Sequence, residues 1–182
     1  MAVSTVAPKL WTGEEPVRLP EGWRHEIDEG ELVNTAPAGS EHGRILSLAD
    51  VLLRAFVQAH RPGEVVSGDV GILLNRGPDT LRAPDVAFYS RERLQQIRDR
   101  TGFPHVAPDL AVEVRDPAVP DLTRKVHQHL QAGVRAVWVV DSQFRSLTRY
   151  APGEQARLRS DPADVVEEPV LPGSHPREVF GG

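Results

Sequence analysis

Apolar positions recur first with the period of a helix and later with the period of strands. Ile45, Leu48, Ala49, Leu52, Leu53, Phe56 and Val57 obey the i, i+3, i+4, i+7 rule. That spacing predicts an amphipathic helix, and Pro62-Gly63 supplies its stop. Upstream, residues 24–28 and 31–35 (RHEID and ELVNT) flank Glu29-Gly30, a turn with glycine where positive φ is tolerated, and predict a short hairpin. Downstream, residues 64–74 carry Val65, Val66, Val70, Ile72, Leu73 and Leu74, broken by Gly68 and Gly71. Residues 85–89 (DVAFY) form a short apolar strand entered through Pro84, which favours extended backbone before it. Ser90 is placed to cap a short charged helix over 91–100. Residues 109–114 (DLAVEV) and 136–140 (AVWVV) are compact apolar strands. Between them lies a helix with Asp121 as its N-cap and Gly133 as its stop.

Two apolar strands joined by a helix favour parallel neighbours in a buried sheet. With the hairpin and the first helix, the pattern predicts an α/β fold: a mixed β-sheet core flanked by helices, with an N-terminal hairpin. Residues 1–21, with Pro8, Pro16 and Pro20 and no sustained periodicity, are expected to form an extended arm. Residues 22–150 make the domain proper. The tail, 151–182, holds five prolines and six acidic residues against three arginines. One or two short strands and poorly ordered loops are expected there.

Composition narrows the chemistry. A chain of 182 residues, 40% hydrophobic and 26% charged, can bury roughly 70% of its unfolded surface without staples. It has no cysteine, which excludes a disulfide scaffold, a Cys-ligated zinc or iron–sulfur centre, and a thiol nucleophile. No apolar run reaches the roughly 20 residues that span a bilayer, and the N-terminus lacks a secretory pattern, so a cytoplasmic protein is expected. The net charge of −5 argues against a surface that is basic throughout, but not against a locally basic cleft. Of the 21 basic residues only Lys9 and Lys125 are lysine, leaving 19 arginines. Base composition of the genome is the simplest reason. Lys125 still calls for inspection, because an ammonium can shift its pKa or act as a compact point charge where guanidinium cannot.

Several common signatures are missing. No glycine-rich phosphate loop, H-E-x-x-H or G-x-S-x-G is present. His127 and His129 sit two apart on a predicted helix, about 200° around its axis, and so face apart and make a poor metal pair. Three polar residues remain where apolar ones are expected. Asp85 opens one strand, and Glu113 lies inside another on the face it shares with Ala111. Lys125 falls with Leu122, Val126 and His129 on the helical arc toward the strands. Burying a carboxylate in such a strand costs several kcal/mol unless it is paired or bound to a cation. Two converging carboxylates repel, and a divalent ion resolves the repulsion; Mg²⁺ takes one or two carboxylates plus waters and phosphate oxygens. Each residue also has a plainer reading. Asp85 could cap a turn, Glu113 could pair with Arg115, and Lys125 could extend its ammonium to solvent.

The ordered set RHEIDEGELV (24–33), SEHGRILSLADVLL (40–53), LRAPDVAFYS (81–90) and DLAVEVRDPAVPDLTRKVHQHLQAGVRAVWVVDS (109–142) resembles the putative restriction endonuclease domain family. That family belongs to the PD-(D/E)XK nuclease superfamily, and the resemblance covers about residues 22–150. It implies a restriction-endonuclease-like fold and a Mg²⁺-dependent endonuclease acting on DNA, with Mn²⁺ as an alternative ion. Carried over, Glu26, Asp85 and Glu113 are the acidic site residues and Lys125 the lysine. The metal ligands are Asp85, Glu113 and the backbone carbonyl of Val114. Two places in the chain, one stretch and one residue, depart from the family pattern. Arg115-Asp116-Pro117-Ala118 stands where Leu-Ser-Pro-Ser is usual, and His129 replaces a tyrosine. Arg115 occupies the strand position where other superfamily members place lysine, and there it can stabilise charge but not transfer a proton.

Three functions stay open on the sequence: a metal-dependent endonuclease, a catalytically silent nuclease-fold binding or assembly module, and an unrelated core with salt-bridged polar groups. The first requires arginines to meet phosphates, for which Arg44, Arg82 and Arg115 are the candidates. A homodimer is expected by analogy with the family, with edge strands and the apolar run 137–140 as its seat.

Overall fold

The computed structural model describes residues 9–15, 25–34, 37–115, 122–160, 168–172 and 179–180. The hairpin forms where expected, as β1 (His25–Asp28) and β2 (Glu31–Asn34), with Glu29 and Gly30 both at positive φ in the turn. The long helix is α1 (Ser40–His60). Its N-cap is Gly39, which makes no side-chain cap. Glycine there costs only a few tenths of a kcal/mol, whereas fully buried Ile45 and Leu53 contribute roughly 1.5–3 kcal/mol each. Packing therefore sets this helix. It closes one residue before Pro62, at Arg61 in the left-handed region, whose N–H donates to the Val57 carbonyl.

The apolar stretch 64–74 becomes two strands, β3 (Gly63–Ser67) and β4 (Ile72–Asn75). Gly68 and Asp69, both at positive φ, turn the chain from one sheet into another. Next come β5 (Thr80–Arg82), β6 (Val86–Ser90) and the four-residue helix α2 (Arg91–Leu94), where Ser90 accepts from the Arg93 N–H as its capping position requires. This helix is shorter than the expected 91–100. Beyond Ile97 the sequence RDRTG offers no apolar face, and Asp99 accepts from both the N–H and the hydroxyl of Thr101, a local bond that competes with helix. The chain continues through β7 (Leu110–Arg115), α3 (Thr123–Gln131), β8 (Ala136–Asp141), β9 (Ser146–Tyr150) and β10 (Arg157–Arg159). Gly133, at φ +93°, ends α3 as expected. The proposed N-cap, Asp121, lies outside the described residues, and Leu122 stands at the cap position.

The strands form two sheets instead of one. A four-stranded antiparallel sheet runs β2-β1-β5-β4, and a six-stranded mixed sheet runs β10-β9-β8-β7-β6-β3. Among the described residues its one parallel pair is β7–β8, the pair joined through α3. On one face of the larger sheet, Ile45, Ala49 and Leu53 of α1 join Val86, Phe88, Val112, Val114, Trp138 and Val140 in one core. On the other face, Val126 and Leu130 of α3 pack on Ala111 and Val137.

One expectation needs correction. The run 137–140 lies inside β8, hydrogen-bonded to β7 and β9 on its two sides and with Val137, Trp138 and Val140 buried, so it is not open to a second copy. The tail does more than add a strand: Leu171 and Val179 are fully buried in the α1-side core. Glu168, 1% exposed, accepts from Trp138 Nε1 at 2.9 Å and Arg149 Nε at 3.0 Å. The arm is anchored where it is described, since the Trp11 N–H donates to Gly30 and the Gly13 N–H to Asp79.

Candidate active site

Strand pairing brings the candidate residues together. In the β6–β7 register Val86 faces Val112, so the same register carried onward sets Pro84 opposite Val114. Proline has no N–H, and the ladder cannot continue through it. Asp85 takes over: its Oδ2 accepts from the Val114 N–H at 2.7 Å. A strand residue's N–H and C=O lie on the same edge, so the Val114 carbonyl also faces this break, where Pro84 cannot donate to it. The aspartate's other oxygen, Oδ1, meets Nε2 of His42 at 2.9 Å, reaching in from the first turn of α1.

Glu113 precedes that peptide and points to the α3 face, with Ala111. Only 3% exposed, it is held at both oxygens. Lys125 Nζ lies 2.8 Å from Oε2, and His129 Nε2 lies 2.9 Å from Oε1. Lys125 and His129 are one turn apart on α3 and so share a face, whereas His127 is exposed, as its spacing requires. Lys125 also reaches Glu26 of β1 at 2.9 Å and the Ala83 carbonyl at 3.2 Å. Its three donors are thereby matched by three acceptors. Burial would lower its pKa, but Glu113 and Glu26 outweigh burial and hold the ammonium above the ordinary lysine range. Lys125 in this arrangement is a fixed positive charge and not a resting base. Glu26 is the counterpart: burial would raise its pKa, but Lys125, the Ala83 N–H and Arg82 bring it below the usual carboxylate range.

The three arginines separate. Arg82 is not a surface cation. It is 5% exposed and bonds Glu26 at 3.0 Å, Asp28 at 2.8 Å and Gln128 at 2.8 Å, so it braces the smaller sheet against α3 and cannot line a duplex. Arg44 is exposed on the first turns of α1 and pairs with Glu41. Arg115 does not pair with Glu113; it bonds Asp141 on the neighbouring parallel strand at 3.0 Å, and its side chain is 41% exposed. Asp141 in turn accepts from the N–H groups of Gln143 and Phe144, tying the β8–β9 turn to the strand that carries Glu113.

Sequence reasoning missed His42 and the bracing role of Gln128 and Arg82. His42 left one usable signal, a polar group one turn before the first core residue of α1. Gln128 left none.

The donor set suits a hard cation of the Mg²⁺ type. Asp85 and Glu113 are buried carboxylates from adjacent strands, flanking a peptide carbonyl that the ladder does not use. Among the described residues no three His, Asp or Glu side chains form a closed cage. A site of this kind leaves positions for waters and phosphate, which is how Mg²⁺ is usually bound. Among the described residues, no helix is long and apolar enough to cross a membrane.

Comparison with known proteins gives the same architecture. The chain matches, along 93% of its length and 97% of the other chain, the crystal structure of a putative nuclease belonging to DUF820 from Anabaena variabilis ATCC 29413, with a TM-score of 0.78 at 19% identity. At that identity the likeness is one of fold. No curated protein matches. The model of the Uma2 family, described as putative restriction endonuclease, matches residues 14–176. With nearly the whole chain covered and Glu26 and Glu113 gathered on one lysine, the protein belongs to the Uma2 putative restriction endonuclease family.

Proposed function

We propose that this chain is a metal-dependent endonuclease that hydrolyses DNA phosphodiester bonds, with Mg²⁺ or Mn²⁺ as its ion. The observation that carries the reading is the seat of Lys125, whose ammonium lies between Glu113 and Glu26 at 2.8 and 2.9 Å. Beside it, Asp85 is anchored on the peptide that follows Glu113. In this reading Asp85, Glu113 and the Val114 carbonyl hold the ion, which when bound supplies an activated water and neutralises phosphate charge. Lys125, kept charged, orients the attacking water and offsets the negative charge gathered on phosphate. Glu26 holds Lys125 in place and stays ionised to do so. Arg115 and Arg44, on the exposed rim, meet flanking phosphates. Two-fold assembly belongs to the same reading and would use an edge strand, since 137–140 is interior; light scattering gives its mass.

Incubating pure protein with supercoiled plasmid and Mn²⁺ or Mg²⁺ tests the reaction. Wild type is expected to nick and linearise, and Glu113→Ala to fall to the level seen without metal. Equal cutting by both would remove the assignment. One observation favours a second reading, a silent binding or assembly module: every donor of Lys125 is already satisfied within the protein. That reading predicts DNA retention without nicking and no thermal shift with either ion.

A further inference from the structure

His129 is 0% exposed, and its one hydrogen bond among the described residues is the 2.9 Å contact from Nε2 to Glu113 Oε1. The other ring nitrogen, Nδ1, is buried with no partner among the described residues. A buried polar atom without a partner costs about 1–3 kcal/mol, so an apolar side chain of similar size would suit this helix face better if packing were its only task. The ring is instead committed to one oxygen of Glu113, while Lys125, a turn earlier, takes the other. The two donors differ in kind. An ammonium on a four-carbon stem can follow a carboxylate through its broad terminal torsion. A planar ring packed inside the core cannot.

We infer that His129 is a positioning residue, whose fixed Nε2 donor locks the rotation of the Glu113 carboxylate and so sets the affinity of the site for a divalent cation. The inference rests on the metal-binding reading of Glu113 given above. It differs from it in making the affinity depend on a residue that touches neither ion nor substrate. The role is the one that groups behind a metal ligand commonly fill, where their loss weakens binding by about 10–100-fold.

Calorimetric titration of Mn²⁺ into the full chain tests it, with thermal unfolding run in parallel. His129→Leu removes the donor and keeps apolar bulk. His129→Gln keeps an N–H near the place of Nε2, and His129→Asn is too short to reach Glu113. The Leu and Asn variants are expected to bind Mn²⁺ about 10–100-fold more weakly, with His129→Gln restored toward wild type. If the plasmid is cut, the loss should be recovered by raising Mn²⁺, leaving the saturated rate nearer wild type than the rate at low metal. Equal affinity of wild type, His129→Asn and His129→Leu would overturn the inference and leave the metal site standing. Should His129→Leu fail to fold, equal affinity of His129→Gln and His129→Asn would overturn it. A wild-type chain that takes up no Mn²⁺ would overturn the metal reading, and this inference with it.

Discussion

Two groups of buried charge lie against the six-stranded sheet, one at the tail and one where the smaller sheet meets it, and they are balanced differently. At the tail, Glu168 meets Trp138 and Arg149, and Arg149 also bonds Glu154 at 2.9 Å. Each strong acceptor there has a strong donor, and the tail segment is pinned over the core as a result. At the strand ends, buried Glu26, Asp85 and Glu113 face, among the described residues, only Arg82 and Lys125 as fixed cations, and Arg82 is shared with Asp28. Histidines and two backbone N–H groups, of Ala83 and Val114, complete the second group. Evolution under a demand for stability alone would produce the first pattern. A surplus of negative charge held out of water suits a cation that arrives from solution, and it costs the resting fold some stability.

Removing one acid from each group should therefore give opposite outcomes. Glu168→Ala leaves Arg149 short of its buried partner and the Trp138 N–H unbonded. Its expected cost is about 3–5 kcal/mol, a fall in Tm of about 6–20 °C for a chain of this size. Asp85→Asn keeps an oxygen for the Val114 N–H and relieves the surplus charge. It is expected to stay within about 1 kcal/mol of wild type while losing Mn²⁺ binding. Urea unfolding of both variants decides. A larger loss for Asp85→Asn than for Glu168→Ala would show that the strand-end acids serve the fold and not an ion.

The lysine sharpens the comparison through pH. Glu26 titrates below its ordinary range, so its contribution is present above about pH 4.3 and disappears as pH falls through the lowered value. Lys125 titrates above its ordinary range, so its contribution is complete below about pH 10.4 and is lost as pH rises through the raised value. Both contributions should hold level between those limits. Lys125→Met removes the cation shared by Glu26 and Glu113, leaving Arg82 on the one and His129 on the other, and should cost about 3 kcal/mol at pH 7. The deficit should shrink as pH falls below about 4.3, where the contribution of Glu26 begins to be lost. Denaturant midpoints measured from pH 4 to 10 for both proteins check this. A deficit that stays constant with pH would mean that Lys125 acts through packing.

The two groups were not equally legible in the sequence. Asp85 and Glu113 stood out because a charge inside a short apolar strand has few structural uses, and Lys125 because arginine fills nearly every other basic position. Glu168 gave no sign. It sits among prolines and acids, where composition suggests loop, and only the tertiary contact with Trp138 shows that the segment closes the core. Arg82 failed in the opposite sense: next to Pro84 and Asp85 it looks like a phosphate contact, but β5 turns it inward onto Glu26 and Asp28. Alternation along one strand shows which face a side chain takes. Whether another sheet covers that face depends on the switch at Gly68-Asp69, which local pattern does not reveal.

Arg115 gives the smallest expected effect and the most selective one. Its bond to Asp141 is partly exposed, and a pair of that kind contributes about 0–1 kcal/mol, so Arg115→Ala should unfold almost as wild type does. If the rim meets phosphates, the same change weakens DNA binding and lowers the slope of log K against log salt by about 1, the mark of one lost phosphate contact. Arg82→Ala should behave the other way, destabilising the fold by breaking its bonds to Glu26 and Asp28 and leaving the salt slope of the folded fraction unchanged. Fluorescence anisotropy with a labelled duplex at several salt concentrations, in calcium to prevent cutting, separates the two. An unchanged slope for Arg115→Ala would move the DNA face away from the exposed end of β7, and with it the role of the turn that Asp141 ties to that strand.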